Sequence, residues 1–333
     1  MSPDAPTTEA PLFEARDLVK RFRSRGTVVQ AVNGVSLRIP RGRTVGLVGE
    51  SGSGKSTVAR LALRLLDPTS GQVTFDGVDL LRASRGQMQA LRRRMQIVFQ
   101  DPLGSLNPRM RVLDAVGEPL AVHRIAKGSA RVDRVVELLE RVGLRSSDLY
   151  RFSHQFSGGQ AQRIGIARAL ATDPDLIVCD EAVSALDVSV QAQMLNLLKR
   201  LQSELGLSYL FIAHDLNVVR YMADEVCVMY LGQIVERGDG DTLFADPRHP
   251  YTGMLVSALP EFAPERADGR ARRAVPRGEP ASPSSPPPGC RFHPRCPKAM
   301  QRCREEAPAL HGVADGRAAA CHLFDAGREA SAR

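Results

Sequence analysis

A glycine-rich loop that follows an apolar strand pattern is the part of the sequence best suited to binding phosphate. It fits the pattern G-x-x-x-x-G-K-[ST] and consists of Gly49, Glu50, Ser51, Gly52, Ser53, Gly54, Lys55, Ser56 and Thr57. Its glycines allow positive φ, so successive N–H groups can point at phosphate oxygens, and the helix expected after them directs its N-terminus at the same anion. We expect Lys55 to reach the β- and γ-phosphates, Ser56 to ligate Mg²⁺ and Thr57 to contact phosphate. The loop therefore predicts a nucleoside triphosphate site.

Polar side chains end two further apolar runs, at 176–179 and 209–213. Asp180 and Glu181 follow the first run, a pattern typical of a buried parallel strand at its ligand-binding edge. Asp180 can hold Mg²⁺ through water, and Glu181 can act as general base toward an attacking water. His214 follows the second run and can donate a hydrogen bond to the γ-phosphate. This set predicts hydrolysis of the terminal phosphate.

A second anion site is indicated where two glycines open a helical pattern over 161–171. The segment is Ser157, Gly158, Gly159 and Gln160, and Ser157 is a good N-cap. The alternative is a capped helix with a flexible entry. One helix terminus stabilises an anion by only about 0.3–2 kcal/mol, so a phosphate held elsewhere would have to face this segment.

Composition indicates a globular chain. It has 333 residues, 43% of them hydrophobic, enough for a core of one or two domains. No apolar run approaches the roughly 20 residues of a membrane span. Net charge is +8 with no Trp, but the basic residues are scattered, which favours a solvated surface over nucleic-acid binding. The polar residues 1–11 are expected to be a disordered lead-in and not a signal peptide, so the chain should stay in the cytosol.

The predicted elements divide the chain into parts. Strands separated by a turn at 23–26 occupy 12–39, and a helix is expected over 58–66. A helical block inserted between strands suggests a subdomain over about 101–171. Residues 263–289 are rich in Pro, Arg, Ser and Ala and are expected to be a linker to an extension over 290–333.

Four cysteines crowd into that extension, namely Cys290, Cys296, Cys303 and Cys321. In a cytosolic chain such a set indicates metal binding more than disulfides. Zinc usually has ligand pairs separated by two to four residues, whereas the wider spacing and the Cys-Pro pair suit an iron–sulfur cluster. Zinc and four unrelated thiols remain alternatives.

Over 12–262 the combination of these motifs resembles the nucleotide-binding subunit of ATP-binding cassette (ABC) transporters. The resemblance implies an α/β P-loop NTPase cassette with a RecA-like parallel-sheet core, an antiparallel β subdomain and an inserted helical subdomain, plus a small Cys-rich C-terminal extension. ATP and Mg²⁺ are the implied cofactors.

The resemblance also assigns roles to individual residues. Phe22, an aromatic at the end of the first strand that on spacing alone could be core or surface, matches the base-stacking position. Gln100 matches the residue that contacts Mg²⁺ and the attacking water. In a head-to-tail dimer, the 157–160 segment of one subunit would cap the γ-phosphate in the other, with Asp187 in a neighbouring loop. Phe156 and Ala182 stand where the family usually has Leu and Pro.

Shorter motifs at 99–102, 105–108, 184–188 and 249–252 are similar to those of oligopeptide/dipeptide importer ATPases, and 159–168 is similar to the second ATPase subunit of such systems. The implied partners are a sister ATPase, two membrane permeases and an extracytoplasmic substrate-binding protein, with this chain peripheral on the cytoplasmic membrane face. The family's extension implies a [4Fe-4S] cluster at the four cysteines.

There are three alternatives to peptide import: another solute, a soluble ATPase and a regulatory subunit. Related importers carry nickel complexes, so the solute is left open. A soluble ABC ATPase acting on nucleic acid or ribosomes is disfavoured, because the chain has one cassette and no heptad run. A regulatory subunit without hydrolysis is disfavoured by the intact Lys55, Glu181 and His214.

Overall fold

The structure is a computed structural model that describes residues 10–24, 27–259, 281–313 and 315–324. The strands in chain order are β1 (Phe13–Ser24), β2 (Thr27–Ile39), β3 (Thr44–Val48), β4 (Ser70–Phe75), β5 (Val78–Asp79), β6 (Met95–Val98), β7 (Leu176–Asp180), β8 (Ser208–Ala213), β9 (Glu225–Tyr230), β10 (Gln233–Gly238), β11 (His311–Gly312) and β12 (Ala318–Ala319). The helices are α1 (Lys55–Ala62), α2 (Arg85–Arg94), α3 (Val112–Val122), α4 (Gly128–Arg141), α5 (Gly158–Leu170), α6 (Val188–Leu205), α7 (Leu216–Met222), α8 (Gly240–Ala245), α9 (Pro250–Ser257) and α10 (Gln301–Glu305).

An antiparallel sheet in the order β2-β1-β4-β5 forms one layer. Phe13 pairs with Ile39 on one side and with Phe75 on the other. All three side chains are fully buried, because alternate residues of these strands face the same apolar core. The antiparallel β subdomain is therefore confirmed. Part of the predicted turn at 23–26 lies outside the described residues.

The larger sheet has the order β11-β12-β10-β9-β3-β8-β7-β6, and its strands β9, β3, β8, β7 and β6 are parallel. Every residue of β3 and β7 is buried, as expected for central strands covered on both faces. Alternate residues of β7 enter two separate apolar cores, Ile177 and Cys179 in one and Leu176 and Val178 in the other. The parallel-sheet core of the cassette is confirmed.

The helical insertion lies between the neighbouring parallel strands β6 and β7. Helices α3, α4 and α5 pack together through buried side chains that include Val116, Leu139 and Ile164. Helix α5 begins at Gly158, three residues earlier than the apolar pattern predicts. The Ser157 side chain accepts from the Gln160 N–H and the Gln160 side chain accepts from the Ser157 N–H, which forms a capping box.

The prediction for α1 is wrong at both ends. The helix occupies Lys55–Ala62 and not 58–66. It begins within the phosphate loop and ends before Arg64, whose backbone has φ 48. The Arg64 guanidinium donates to Leu80 O at 2.6 Å and to Ala83 O at 3.1 Å. These long-range bonds to the β subdomain hold a residue that is out of helical conformation.

Residues near the carboxyl end extend the core sheet. Strand β12 pairs with β10 through Glu236 and Ala319, and β11 pairs with β12. These strands were not predicted from the sequence. Most of the predicted lead-in 1–11 and of the predicted linker 263–289, and part of the extension 290–333, lie outside the described residues. The domain boundaries at 262 and 290 therefore remain predictions. Among the helices described, none is both long and apolar enough to cross a membrane.

Candidate functional site

The phosphate loop depends on its glycines at two close approaches. Gly54 has φ 107, and a Cβ there would overlap Ala31 O and lie 2.9 Å from Met229 Cε. A Cβ at Gly49 would overlap Met229 O and lie 2.9 Å from Ser53 Oγ. Side chains at either position would displace the loop backbone, so the predicted need for glycine has a steric cause.

Lys55 lies at the start of α1 and folds back over the loop. Its Nζ donates to Gly49 O at 2.7 Å and to Glu50 O at 3.1 Å. Burial lowers the pKa of the ammonium, and the charges of Glu181, Asp180 and Glu50 oppose that shift. The ammonium is therefore held against the loop backbone, where a bound triphosphate would compete with the two carbonyl groups for its hydrogen bonds.

Ser56 and Asp180 place two oxygen ligands side by side. Ser56 Oγ donates to Asp180 Oδ1 at 2.9 Å, which joins the first turn of α1 to the carboxyl end of β7. Burial raises the pKa of the Asp180 carboxyl, and the bond from Ser56 opposes that shift. Hydroxyl and carboxylate oxygens are the ligands that Mg²⁺ prefers, so this pair fits the predicted magnesium site.

Glu181 lies beside Gln100 and His214, the two other residues predicted to be catalytic. Gln100 Nε2 donates to Glu181 Oε2 at 2.9 Å, and His214 Nδ1 lies 3.7 Å from the same oxygen. The Glu181 backbone has φ 52, a left-handed conformation for a residue with a side chain, and its N–H donates to Ile212 O at 3.0 Å. Strain of this kind persists where the surrounding structure over-determines it, often at functional sites. The structure thus brings the predicted general base, the glutamine and the histidine into one cluster.

The 157–160 segment forms a separate surface. A Cβ on Gly159 would lie 2.5 Å from Val190 Cγ1, so the start of α5 packs closely against the start of α6. Asp187 caps α6 by accepting from the Val190 N–H at 2.9 Å. Ser157, Gly158 and Gln160 are exposed. Among the described residues, the hydrogen bonds of this segment do not reach the phosphate loop.

The two departures from the family pattern are accommodated by packing. Phe156 is buried, and the Arg151 guanidinium carbon lies 4.3 Å from its ring centroid. Ala182 is also buried, directly after Glu181.

Phe22, the residue predicted to stack on the base, is 40% exposed at the end of β1, with Lys20 Nζ 5.3 Å from its ring centroid. An aromatic face is therefore available to a base.

The four predicted metal ligands line one small cavity, together with Phe292 and neighbouring residues. The Met300 N–H donates to Cys303 Sγ at 3.5 Å, and the Cys290 N–H donates to Cys303 O at 2.8 Å. Burial raises the pKa of Cys290 and Cys296, and raises that of Cys321 to about 11. Across the part of the chain that the structure describes, no three Cys, His, Asp or Glu side chains form a group that could hold a metal ion.

Two contacts to the phosphate loop were missed by sequence reasoning. Arg295, from the loop between Cys290 and Cys296, donates to both carboxylate oxygens of Glu50, at 2.7 and 3.0 Å. The Glu50 N–H donates to Tyr251 Oη at 2.9 Å. Tyr251 belongs to the 249–252 motif, which indicated the family resemblance but not a contact with the phosphate loop. Arg295 carries no signal that separates it from other basic residues.

Comparisons with known proteins agree with this site. A family model described as ABC transporter matches residues 32–184. A second model, described as oligopeptide/dipeptide transporter, C-terminal region, matches residues 235–303. Among solved structures, the chain is similar to cbiO1 from Clostridium perfringens, with a TM-score of 0.63 and 28% identity over 76% of this chain and 96% of that one. It is also similar to a dimeric ATP-binding cassette bound to ADP and Pi, with a TM-score of 0.62 and 30% identity over 68% of this chain and 98% of that one.

Curated relatives match over nearly their whole length. One from Brucella ovis, named as a peptide import ATP-binding protein, is 49% identical over 94% of this chain and 98% of its own. One from Bacillus subtilis, named as an oligopeptide transport ATP-binding protein, is 50% identical over 94% of this chain and 96% of its own. The chain therefore belongs to the ATP-hydrolysing subunits of ABC transporters, within the oligopeptide/dipeptide transporter family.

Proposed function

We propose that this chain powers the import of di- and oligopeptides through a membrane ABC transporter. The observation that carries the proposal is the cluster of Glu181, Gln100 and His214 beside the phosphate loop, in a chain whose relatives are named for peptide import. The residue cluster indicates ATP hydrolysis, and the names of the relatives indicate the class of solute.

ATP binding follows from the loop and from Phe22. The backbone N–H groups of residues 49–57 surround the phosphates, Lys55 turns from its two carbonyl partners to the β- and γ-phosphates, and Thr57 adds a contact. The exposed ring of Phe22 stacks on the base. Ser56, Asp180 and Gln100 would hold Mg²⁺, which would supply positive charge against the phosphate oxygens.

Hydrolysis follows from the Glu181 cluster. Glu181 accepts a proton from water as the water oxygen attacks the γ-phosphorus and the bond from that phosphorus to the ADP oxygen breaks. The Gln100 amide fixes one carboxylate oxygen through its 2.9 Å bond, which orients the other. His214 donates a hydrogen bond to the γ-phosphate and so stabilises the charge on the transferring group.

The 157–160 segment gives the chain a second role in a dimer. Its helix start is exposed, and its hydrogen bonds within the described residues do not reach the chain's own phosphate loop, so we infer that the phosphate it caps belongs to another subunit. We assign that place to a sister ATPase in a head-to-tail heterodimer. The similarity to a dimeric cassette with bound ADP and Pi, at 30% identity, supports the dimer but does not bear on the identity of the second subunit.

The remaining partners are two membrane permeases, contacted through residues 101–124, and an extracytoplasmic binding protein that reaches this chain only through them. The chain would then be peripheral on the cytoplasmic membrane face. Nucleic acid is not among the proposed partners, because the basic residues are scattered along the sequence and accompanied by only five Tyr and no Trp.

We further propose that Cys290, Cys296, Cys303 and Cys321 bind a [4Fe-4S] cluster, with zinc as the alternative. The support is the all-thiol ligand set, which suits such clusters, and the fact that all four side chains line one cavity. In the described structure these thiols are not grouped as metal ligands, so binding would require them to move closer together. Bound there, the cluster would crosslink four points of the extension.

The function is tested by uptake of labelled peptides, with nickel alongside, in cells whose only change is Glu181→Gln. The matched control is Glu204→Gln, which removes another carboxyl from the surface of α6. Loss of peptide uptake alone, with the control unaffected, supports the proposal. Loss of nickel uptake alone keeps the motor and overturns the solute. If neither uptake falls, Glu181 is not the base that drives transport of these solutes.

A further inference from the structure

Glu50 of the phosphate loop is held at its main chain and at its side chain by residues from outside the loop. Its N–H donates to Tyr251 Oη at 2.9 Å. Its carboxylate accepts from both terminal nitrogens of Arg295, at 2.7 and 3.0 Å. A bidentate arginine–carboxylate pair fixes orientation as well as distance. Glu50 therefore lacks the freedom expected of a residue in an exposed loop.

The residue that holds the carboxylate comes from the cysteine-bearing part of the chain. Arg295 directly precedes Cys296 and lies in the short 3-10 turn His293–Arg295. Its side chain is only 4% exposed, and its guanidinium carbon lies 5.9 Å from the ring centroids of both Tyr230 and Phe292. Burial beside two rings that contact each other restricts the movement of this guanidinium.

The two residues that directly precede this turn are also anchored. Arg291 donates to Leu231 O, and also to Gln30 Oε1 at 2.8 Å. Phe292 packs edge-on against Tyr230, with ring centroids 5.3 Å apart, and against Tyr251 at 5.4 Å. The turn is thus anchored by contacts that do not involve Glu50. The position of Arg295 is therefore set by the extension and not by the phosphate loop.

Fixing Glu50 has two consequences for bound phosphate. The carbonyl of Glu50 is one of two that hold Lys55 Nζ, so its position sets where the ammonium waits. The Glu50 carboxylate also adds negative charge beside a site for a polyanion, and its pairing with Arg295 neutralises that charge. Without Arg295 the loop would be freer, and the site would repel the triphosphate more strongly.

We propose that Arg295, from the turn His293–Arg295 beside Cys296, and Tyr251, from α9, are positioning residues that hold Glu50 and so set the affinity of the phosphate loop for ATP. This role concerns ATP binding and does not depend on which solute is carried. It also gives the 249–252 motif a physical role, since the Tyr251 side chain is the acceptor for the loop N–H.

The test measures the dissociation constant for MgATP by equilibrium titration of the full chain. Arg295→Gln should weaken binding about 10-fold, since bonds between charged groups typically contribute that much. Tyr251→Phe should weaken it about 3-fold through the lost neutral acceptor. The matched control is Arg317→Gln, which removes an equally buried arginine that bonds Asp246 and Asp315 and makes no bond to the loop.

A double-mutant cycle separates positioning from general loss of structure. If Arg295 acts through Glu50, then Glu50→Gln combined with Arg295→Gln should bind MgATP no more weakly than the poorer single variant. Additive losses would overturn the proposal. So would an equal loss of affinity in Arg317→Gln, since the effect would then come from unfolding of the extension, and so would unchanged affinity in Arg295→Gln.

Discussion

Gly54→Ala should destabilise the chain even before nucleotide is added. The substitution places a Cβ on a residue with φ 107, where it would overlap Ala31 O and lie 2.9 Å from Met229 Cε. A non-glycine residue in such a conformation costs about 1–3 kcal/mol. Overpacking against a backbone oxygen, which can retreat only if β2 moves, adds about 1–3 kcal/mol. The free energy of unfolding should fall by about 2–6 kcal/mol.

Gly34→Ala is the matched control for this prediction. Gly34 has φ 74, but none of the described heavy atoms lies within 4 Å of a Cβ built there. Only the backbone penalty of about 1–2 kcal/mol should therefore appear. Urea unfolding of both nucleotide-free variants measures the difference, and MgATP titration should show weaker binding in Gly54→Ala alone. Equal destabilisation of the two variants would refute the steric argument.

Three further predictions concern stacking on the nucleotide base, a buried histidine and the four thiols of the extension. Phe22→Ala should weaken ATP binding by about 1–3 kcal/mol through lost stacking, whereas Phe22→Trp should retain it, and equal affinity in all three proteins would contradict the assignment. Burial lowers the pKa of His249 from 6.5 to about 3. Between these two pH values the His249 ring is protonated only in the unfolded chain, so the free energy of unfolding should fall by about 1.4 kcal/mol for each pH unit of acidification. Urea unfolding from pH 7 to pH 5 measures this slope, which should be smaller in His249→Asn and is refuted if the two slopes agree. Cys296→Ser should abolish brown colour and bound iron whereas Cys227→Ala, in the core, should keep both, and unchanged iron in Cys296→Ser would exclude the cluster.

The parts of the site that lie on short stretches of sequence could be predicted. The phosphate loop, Asp180, Glu181 and His214 each follow an apolar strand, and parallel strands bring their carboxyl ends to one edge of the sheet. Ser56 and Asp180 meet there, as do Gln100 and Glu181. Local pattern and sheet topology predicted that Ser56, Asp180, Glu181 and His214 belong to one site, whereas the role of Gln100 came from the family resemblance.

The contacts that sequence reasoning missed depend on packing between distant segments. The Arg295–Glu50 pair joins residues 245 positions apart, and no local pattern distinguishes this arginine from the others. Strand β12 consists of two alanines that pair with Glu236 and Arg237 of β10, a contact between segments about 80 positions apart that no local pattern indicates. The early end of α1 also coincides with a non-local contact, since the Arg64 guanidinium donates to Leu80 O and Ala83 O beyond β5.

Glu181 is the residue on which the motor assignment depends. Its left-handed backbone, its bond from Gln100 and its proximity to His214 are explained together if it activates water. A general base contributes typically 10²–10⁴-fold to a rate, and replacement by Gln keeps its shape while removing the proton acceptor.

The most direct measurement is ATP-driven uptake of labelled peptide into vesicles that contain the assembled transporter with Glu181→Gln in this chain. The account predicts that MgATP still binds, because the phosphate loop and the Ser56–Asp180 pair are intact, and that peptide uptake is lost. Peptide uptake at the wild-type rate by a transporter with this substitution would contradict it.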